Sequence, residues 1–269
     1  PFSFSYDRLL IATGARPIMP TLPGFDQPGV LALKSLADGK AIKAYLQAHT
    51  VRKAAIIGMG YIGLEMAEAL RARGIAVEMV KPGPNLLPWM PRDLAAVVQK
   101  ELEAHAVGLY SGYTVVAIEK DGNRFNIICP EATLTADMVL VAIGIQPNSE
   151  LAEAAGLALG PDGAITVNRR LQTTDEAVYA AGDCADAIHV VTGEKVWIPL
   201  ALRANRAGWA VADNVCGKTV TLDGVAGTAV FKVFDLEVAR SGLTEKEARK
   251  AGFDPVAVTI KSRSKAHAP

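Results

Sequence analysis

Cysteine is scarce in this 269-residue chain: Cys129, Cys184 and Cys216 are the only three, too widely spaced for a C-x-x-C pair. That excludes a disulfide framework and a thiolate metal cluster. All three read as small buried residues, since apolar neighbours such as Ile127-Ile128 raise a thiol pKa and blunt its reactivity. The four histidines, His49, His105, His189 and His267, are isolated in sequence. Surface or hydrogen-bonded roles are expected for them, and no metal site. Net charge is absent too, with 28 basic against 28 acidic residues and no basic run interleaved with aromatics, so no nucleic-acid footprint is present. No apolar run approaches the roughly eighteen residues of a membrane span, and the N-terminus has no charged-then-apolar leader. A cytoplasmic location is the default expectation. Aromatics are only 6% of a chain that is half hydrophobic. The length admits more than one domain and a sizeable aliphatic core.

What the chain does contain is a repeat. Residues 7–17 (DRLLIATGARP) and 137–147 (DMVLVAIGIQP) are the same pattern: an apolar strand ending in a glycine turn, Gly14 or Gly144, where a backbone without a Cβ admits a ligand closely. Between the copies lies Gly58-Met59-Gly60-Tyr61-Ile62-Gly63. It follows a buried strand and opens a helix, the setting in which loop amides and a helix N-terminus hold a dinucleotide pyrophosphate. Two nucleotide-binding units are implied, one inserted in the other. Only one opening fingerprint serves two closing strands, and the chain begins at Pro1; a fragment whose first βαβ unit lies upstream is expected.

Residues 1–25 close one domain and 26–50 form a connector with a helix over 37–48. Residues 51–145 form the dinucleotide-binding domain: strand 53–57, helix 61–73 stopped by Gly74, strand 75–80, helix 91–105, an antiparallel excursion near 114–119 and 124–128 joined at Asp121-Gly122, and a return strand 137–142. Residues 146–224 resume the first domain with a short helix 151–155, the turn Pro161-Asp162-Gly163, a strand running into Val178 to Asp183, and a long helix 201–216. A third region, 225–269, starts with strand 228–234 and helix 245–251, where Thr244 and Glu247 spell a capping box. At the end of the second strand, where a carboxylate would read the ribose hydroxyls of NAD, stands Lys81. Either it favours a 2′-phosphate, and so NADPH, or it is a solvated strand end; no second cation follows in Pro82-Gly83-Pro84-Asn85.

The fingerprint, both glycine turns, Ala181-Gly182-Asp183-Cys184-Ala185, and Val233-Phe234-Asp235 with Gly242-Leu243, Glu247-Ala248 and Ala251-Gly252 together resemble the flavin-dependent pyridine nucleotide-disulfide oxidoreductases. The last segment is similar to the branch holding coenzyme A disulfide reductase, NADH oxidase and NADH peroxidase. The resemblance implies an α/β fold, a Rossmann-like NAD(P) domain inserted in a partial FAD-binding domain plus the start of an α+β dimerisation domain. It implies FAD and NAD(P)H as cofactors, a small thiol/disulfide or oxygen-species substrate, and a homodimer in the full-length protein. By resemblance, Gly58, Gly60, Ile62, Gly63 and Gly144 would line NAD(P); Thr13, Gly14, Gly182 and Asp183 would line FAD, with Asp183 on the ribityl chain. Leu200 and Ala201 would start a helix whose positive end faces the flavin carbonyl. Tyr61 would lie against the isoalloxazine and Glu65 would meet the nicotinamide carboxamide. None of the cysteines matches the family's redox nucleophile, so the chain alone is not expected to complete a disulfide half-reaction. A ferredoxin-reductase-type flavoprotein and a nucleotide-binding module without turnover are the alternatives.

Overall fold

A computed structural model describes residues 3–262; Pro1, His267 and Pro269 lie outside the described residues. In chain order, β1 (Leu9–Ile11), β2 (Ala15–Pro17) and β3 (Val30–Ala32) precede α1 (Leu36–Ala48). Then come β4 (Lys53–Ile57), α2 (Tyr61–Arg71), β5 (Ala76–Lys81), α3 (Arg92–Ala104) and β6 (Val107–Ser111). A meander of β7 (Ala117–Asp121), β8 (Arg124–Ile128) and β9 (Thr133–Ala136) leads into β10 (Met138–Val141) and β11 (Ile145–Pro147). The remainder is α4 (Glu150–Ala154), β12 (Val178–Ala180), β13 (Ala187–Ile188), β14 (Lys195–Val196), α5 (Ala201–Val215), β15 (Ala229–Val233), β16 (Leu236–Arg240) and α6 (Glu245–Lys250).

The larger module is a parallel sheet in the order β3-β10-β4-β5-β6. Its middle strands are apolar on both faces, as a sheet covered on both sides requires. Ala54, Ile56, Met79 and Leu140 point to the side where α2 contributes Leu64, Ala67 and Leu70, spaced three apart so that they share one helix face, and α3 contributes Val98 and Leu102. Ala55, Ile57, Val80, Val139 and Val141 point the other way, under Ile118, Phe125 and Ile127 of the meander. The smaller module pairs β1 with β12 in parallel, with Ile11, Ile165, Tyr179, Ala207 and Val211 in its core.

The two repeat copies meet. Their exit strands β2 and β11 form an antiparallel ribbon, Ala15 opposite Pro147 and Pro17 opposite Ile145, extended by Asn148 N–H to the Gly14 carbonyl (2.9 Å) and Ile18 N–H to the Gly144 carbonyl (3.0 Å). The insertion thus enters and leaves through one double-stranded neck. Beyond it, the β15–β16 hairpin docks Phe231, Val233, Phe234 and Val238 onto the core shared by α2 and α3.

Several expectations need correction. Within the stretch read as a connector, Val30–Ala32 is an edge strand of the parallel sheet. The antiparallel excursion has a third strand, β9, and its first strand lies at Ala117–Asp121 rather than 114–119. Helix α2 ends at Arg71, because Gly74 at φ 75° turns the chain and Ile75 N–H closes on the Leu70 carbonyl. Cys216 is exposed, not buried, as the residue capping the C-terminus of α5. His105 has the hydrogen-bonded role expected of it, its Nδ1 lying 2.9 Å from the Glu101 carbonyl, and its ring also stacks on Phe234 with centroids 3.9 Å apart.

Candidate functional site

The chain leaves β4 into the glycine loop at the carboxyl end of the parallel sheet, where ligands of such sheets bind. Gly58 is buried at φ 110°, and a Cβ there would lie 2.2 Å from the Ala142 carbonyl oxygen. Only glycine lets the loop pass so close to the end of β10. Gly63 is fixed by packing, since its Cβ would fall 2.7 Å from the Gly58 carbonyl oxygen. Gly60 differs from both: it is exposed, extended at φ −87°, and a Cβ would meet nothing within 4 Å. As N-cap of α2 it supplies no capping side chain, and the first turn holds no acid. First-turn amides have no partner within a helix; here they stand at the positive end of the dipole, beside the free space at Gly60. That geometry fits a pyrophosphate. Gly144, exposed at φ 131°, lies just past the end of β10, next to β4.

Tyr61 and Ile62 begin α2, half-buried. Rather than lying free over an open face, the Tyr61 ring packs on Phe231 of the hairpin (centroids 4.6 Å) and edge-on to Trp89 (6.3 Å). Arg240 covers Trp89 at 5.0 Å and pairs with Glu247 at 2.9 Å. Burial pushes the Tyr61 phenol up, with Arg240 opposing and Glu247 adding to the rise. Glu65, one turn on, is exposed and makes no side-chain bond or ion pair among the described residues. Lys81 is not a solvated strand end: it is half-buried, its ammonium donates to the Asn85 carbonyl, and burial lowers its pKa.

The smaller module presents its own strand ends side by side, since Ala181 N–H bonds the Ile11 carbonyl at 3.1 Å and each strand turns away at a glycine, Gly14 at φ 70° and Gly182 at φ 87°. Thr13 donates to the Asn148 carbonyl at 2.5 Å and accepts from the Asn148 side chain through its own carbonyl at 2.8 Å. It thereby fastens this turn to the neck. Asp183 is ion-paired with Lys34 at 2.7 Å, and its carbonyl accepts from the Trp197 indole at 2.8 Å. Leu200 is the extended N-cap of α5, Ala201 its first residue, with no capping side chain and no acid in the first turn. Sequence reasoning missed Lys34, which precedes the Ser35–Asp38 capping box and so reads as a solvated helix-start charge. Cys184 is fully buried, its thiol directed at the Ile11 and Ala181 carbonyls. No helix among the described residues is long and apolar enough to cross a membrane.

Residues 2–208 match the family model described as pyridine nucleotide-disulphide oxidoreductase. The chain is 39% identical over 266 residues to a CoA-dependent NAD(P)H sulfur oxidoreductase of Pyrococcus furiosus, covering 98% of this chain and 60% of that protein. It is 37% identical to an NADH oxidase of Methanocaldococcus jannaschii over 90% of this chain and 54% of that one. Among solved structures, an NAD-dependent persulfide reductase from A. fulgidus superposes with a TM-score of 0.89 at 38% identity, covering 93% of this chain and 47% of that chain. The chain therefore spans between about half and three fifths of the length of the relatives it matches. With the family model extending over the glycine loop, the neck and both halves of the smaller module, this chain belongs to the pyridine nucleotide-disulphide oxidoreductase family.

Proposed function

We propose that the protein carrying this chain is a flavoprotein oxidoreductase that takes hydride from NAD(P)H onto FAD and delivers the electrons to a small thiol/disulfide or an oxygen species. The observation that carries this reading is the uncapped α2 behind open space at Gly60, tied by the β2–β11 neck to a second module whose glycine turns also stand at strand ends. FAD, when bound, supplies hydride acceptance and electron transfer, chemistry beyond protein side chains. The chain's own residues do the positioning. Gly58 and Gly63 permit the tight loop, and Gly60 leaves room for the dinucleotide pyrophosphate beside the first-turn amides, that of Ile62 included, with Gly144 bordering the same end of the sheet. Glu65 is free to accept from a carboxamide, and Tyr61, at the start of α2, would lie against the isoalloxazine. Asp183, ion-paired with Lys34, accepts hydroxyl hydrogen bonds beside Thr13, Gly14 and Gly182. The N-terminus of α5 at Leu200 and Ala201 directs positive potential towards developing negative charge.

Lys81 tilts the choice of donor towards NADPH. The nucleophilic redox thiol of a disulfide reaction is not supplied by Cys129 or Cys184, both buried, or by Cys216 at the far end of α5. Three unpaired cysteines suit the cytoplasm. A homodimer would cover Val256, Val258 and Ile260, apolar residues exposed in the irregular segment after α6. The test is anaerobic mixing of the FAD-loaded protein with NADPH or NADH, then addition of coenzyme A disulfide, polysulfide or oxygen. Bleaching of the flavin absorbance and its return with one acceptor is expected; no bleaching with either donor overturns the reading.

A further inference from the structure

Arg203 is the third residue of α5 and is only 8% exposed. A cation in the first turn opposes the helix dipole, and a buried one is disfavoured further; burial lowers the Arg203 pKa, with Asp186 and Asp183 acting the other way. The compensation is specific. Its guanidinium donates to the carbonyls of Gly182 (3.1 Å), Ala185 (2.9 Å) and Asp186. The two carbonyls it leaves are taken by Trp197, on Asp183, and by Ile165 N–H, on Cys184 (2.8 Å). Every carbonyl of the loop 182–186 is thus accounted for, three of them by one side chain. The loop is anchored from beneath by the Asp186 carboxylate, itself 0% exposed, which accepts from Val167 N–H (3.0 Å), Lys195 (2.8 Å) and the Thr166 hydroxyl (2.9 Å).

We infer that Arg203 is a positioning residue: it locks the 182–186 loop to the N-terminus of α5, so that the Asp183 carboxylate and the helix end act on the flavin as one rigid unit. This inference rests on the flavin reading above for its consequence, though not for its geometry. The geometry can be read without any flavin, because Cys184 sits inside the loop and Cys129 lies in the other module, both buried.

The experiment uses the chain with its natural flanking sequence, in a Cys216→Ser background that removes the exposed thiol. Site-resolved alkylation of Cys184 and Cys129 is followed under native conditions, and FAD affinity is measured beside it. Losing the charged donors should favour loop opening, so Arg203→Met is expected to raise the Cys184 rate about tenfold or more at an unchanged Cys129 rate. FAD binding should weaken by about tenfold while NADH binding holds. Arg203→Lys, which keeps the charge but cannot reach all three carbonyls, should fall between, and it serves if the methionine variant fails to fold. Equal change at both cysteines, or at neither, overturns the inference. Absence of FAD from the wild type, with selective Cys184 exposure in the variant, would sink the flavin reading and leave the Arg203 lock standing.

Discussion

Replacing Gly58 and Gly60 separately by alanine should divide stability from ligand binding, although the two glycines are two residues apart. At Gly58 the new methyl would lie 2.2 Å from the Ala142 carbonyl oxygen and 2.6 Å from its carbon, on a backbone at φ 110°. Both the loop and the end of β10 are packed backbone, so neither yields cheaply. Strained backbone of this kind costs about 1–3 kcal/mol and forced overpacking about 1–3 more. The Gly58→Ala variant should therefore lose about 2–6 kcal/mol, against about 5–15 for a whole domain. At Gly60 the backbone is extended and the space empty. Alanine is a slightly poorer N-cap but restricts the unfolded chain, so stability should stay within about 0.5 kcal/mol of wild type. The methyl stands where the pyrophosphate is to pass, however. A clash of about 1–3 kcal/mol weakens NADH or NADPH about fivefold to 150-fold. Urea denaturation gives the first quantity and titration by nicotinamide fluorescence the second. Wild-type affinity in Gly60→Ala, or wild-type stability in Gly58→Ala, would refute the reasoning.

Lys81→Glu should reverse donor preference: one charge-assisted contact is worth about 1.5–3 kcal/mol, or about ten- to a hundredfold in the NADPH:NADH affinity ratio before screening. An unchanged ratio would leave Lys81 only its bond to Asn85. In FAD-loaded protein, Glu65→Ala should slow flavin reduction by NAD(P)H and leave reoxidation untouched, as stopped-flow traces of the two half-reactions would show; equal slowing would mean the residue acts through the fold. Glu68 accepts from Lys232 (2.9 Å) and Phe234 N–H (2.8 Å), holding the hairpin to α2. Its pKa is lowered, chiefly by the Lys232 hydrogen bond, with burial opposing. A depressed folded-state pKa stabilises above the unfolded value of about 4.3 and loses that contribution as pH falls through the folded one. Acid should therefore loosen the hairpin, read from Trp89 emission, and Glu68→Gln should flatten that acid limb.

Much of this fold is legible because its signals are local. Residues 54–57 and 138–143 are apolar runs, each bounded by a polar residue and a glycine, and α2 shows its core face in Leu64, Ala67 and Leu70. The Thr244–Glu247 box forms both reciprocal bonds. What escaped is set by distant partners. Val30–Ala32 is a strand only because β10 lies beside it, and Thr133–Ala136 because β8 does. In the candidate site, the glycine loop could be read from spacing, whereas Lys34 meets Asp183 across 149 residues of sequence. Arg203 looks like any polar first-turn residue until its carbonyl partners are seen. Lys81 could be placed at its strand end but not oriented, since its bond to Asn85 depends on how the following loop curls back.

The account stands or falls on where the dinucleotide binds. Amide hydrogen exchange of the chain with and without saturating NADPH or NADH tests this directly. Slowed exchange is expected at the backbone amides of residues 59–63, between the bonded amides of Gly58 and Leu64, with β5 next in order near Lys81. Dinucleotide binding that leaves those amides unprotected, or protects a surface elsewhere, would contradict it.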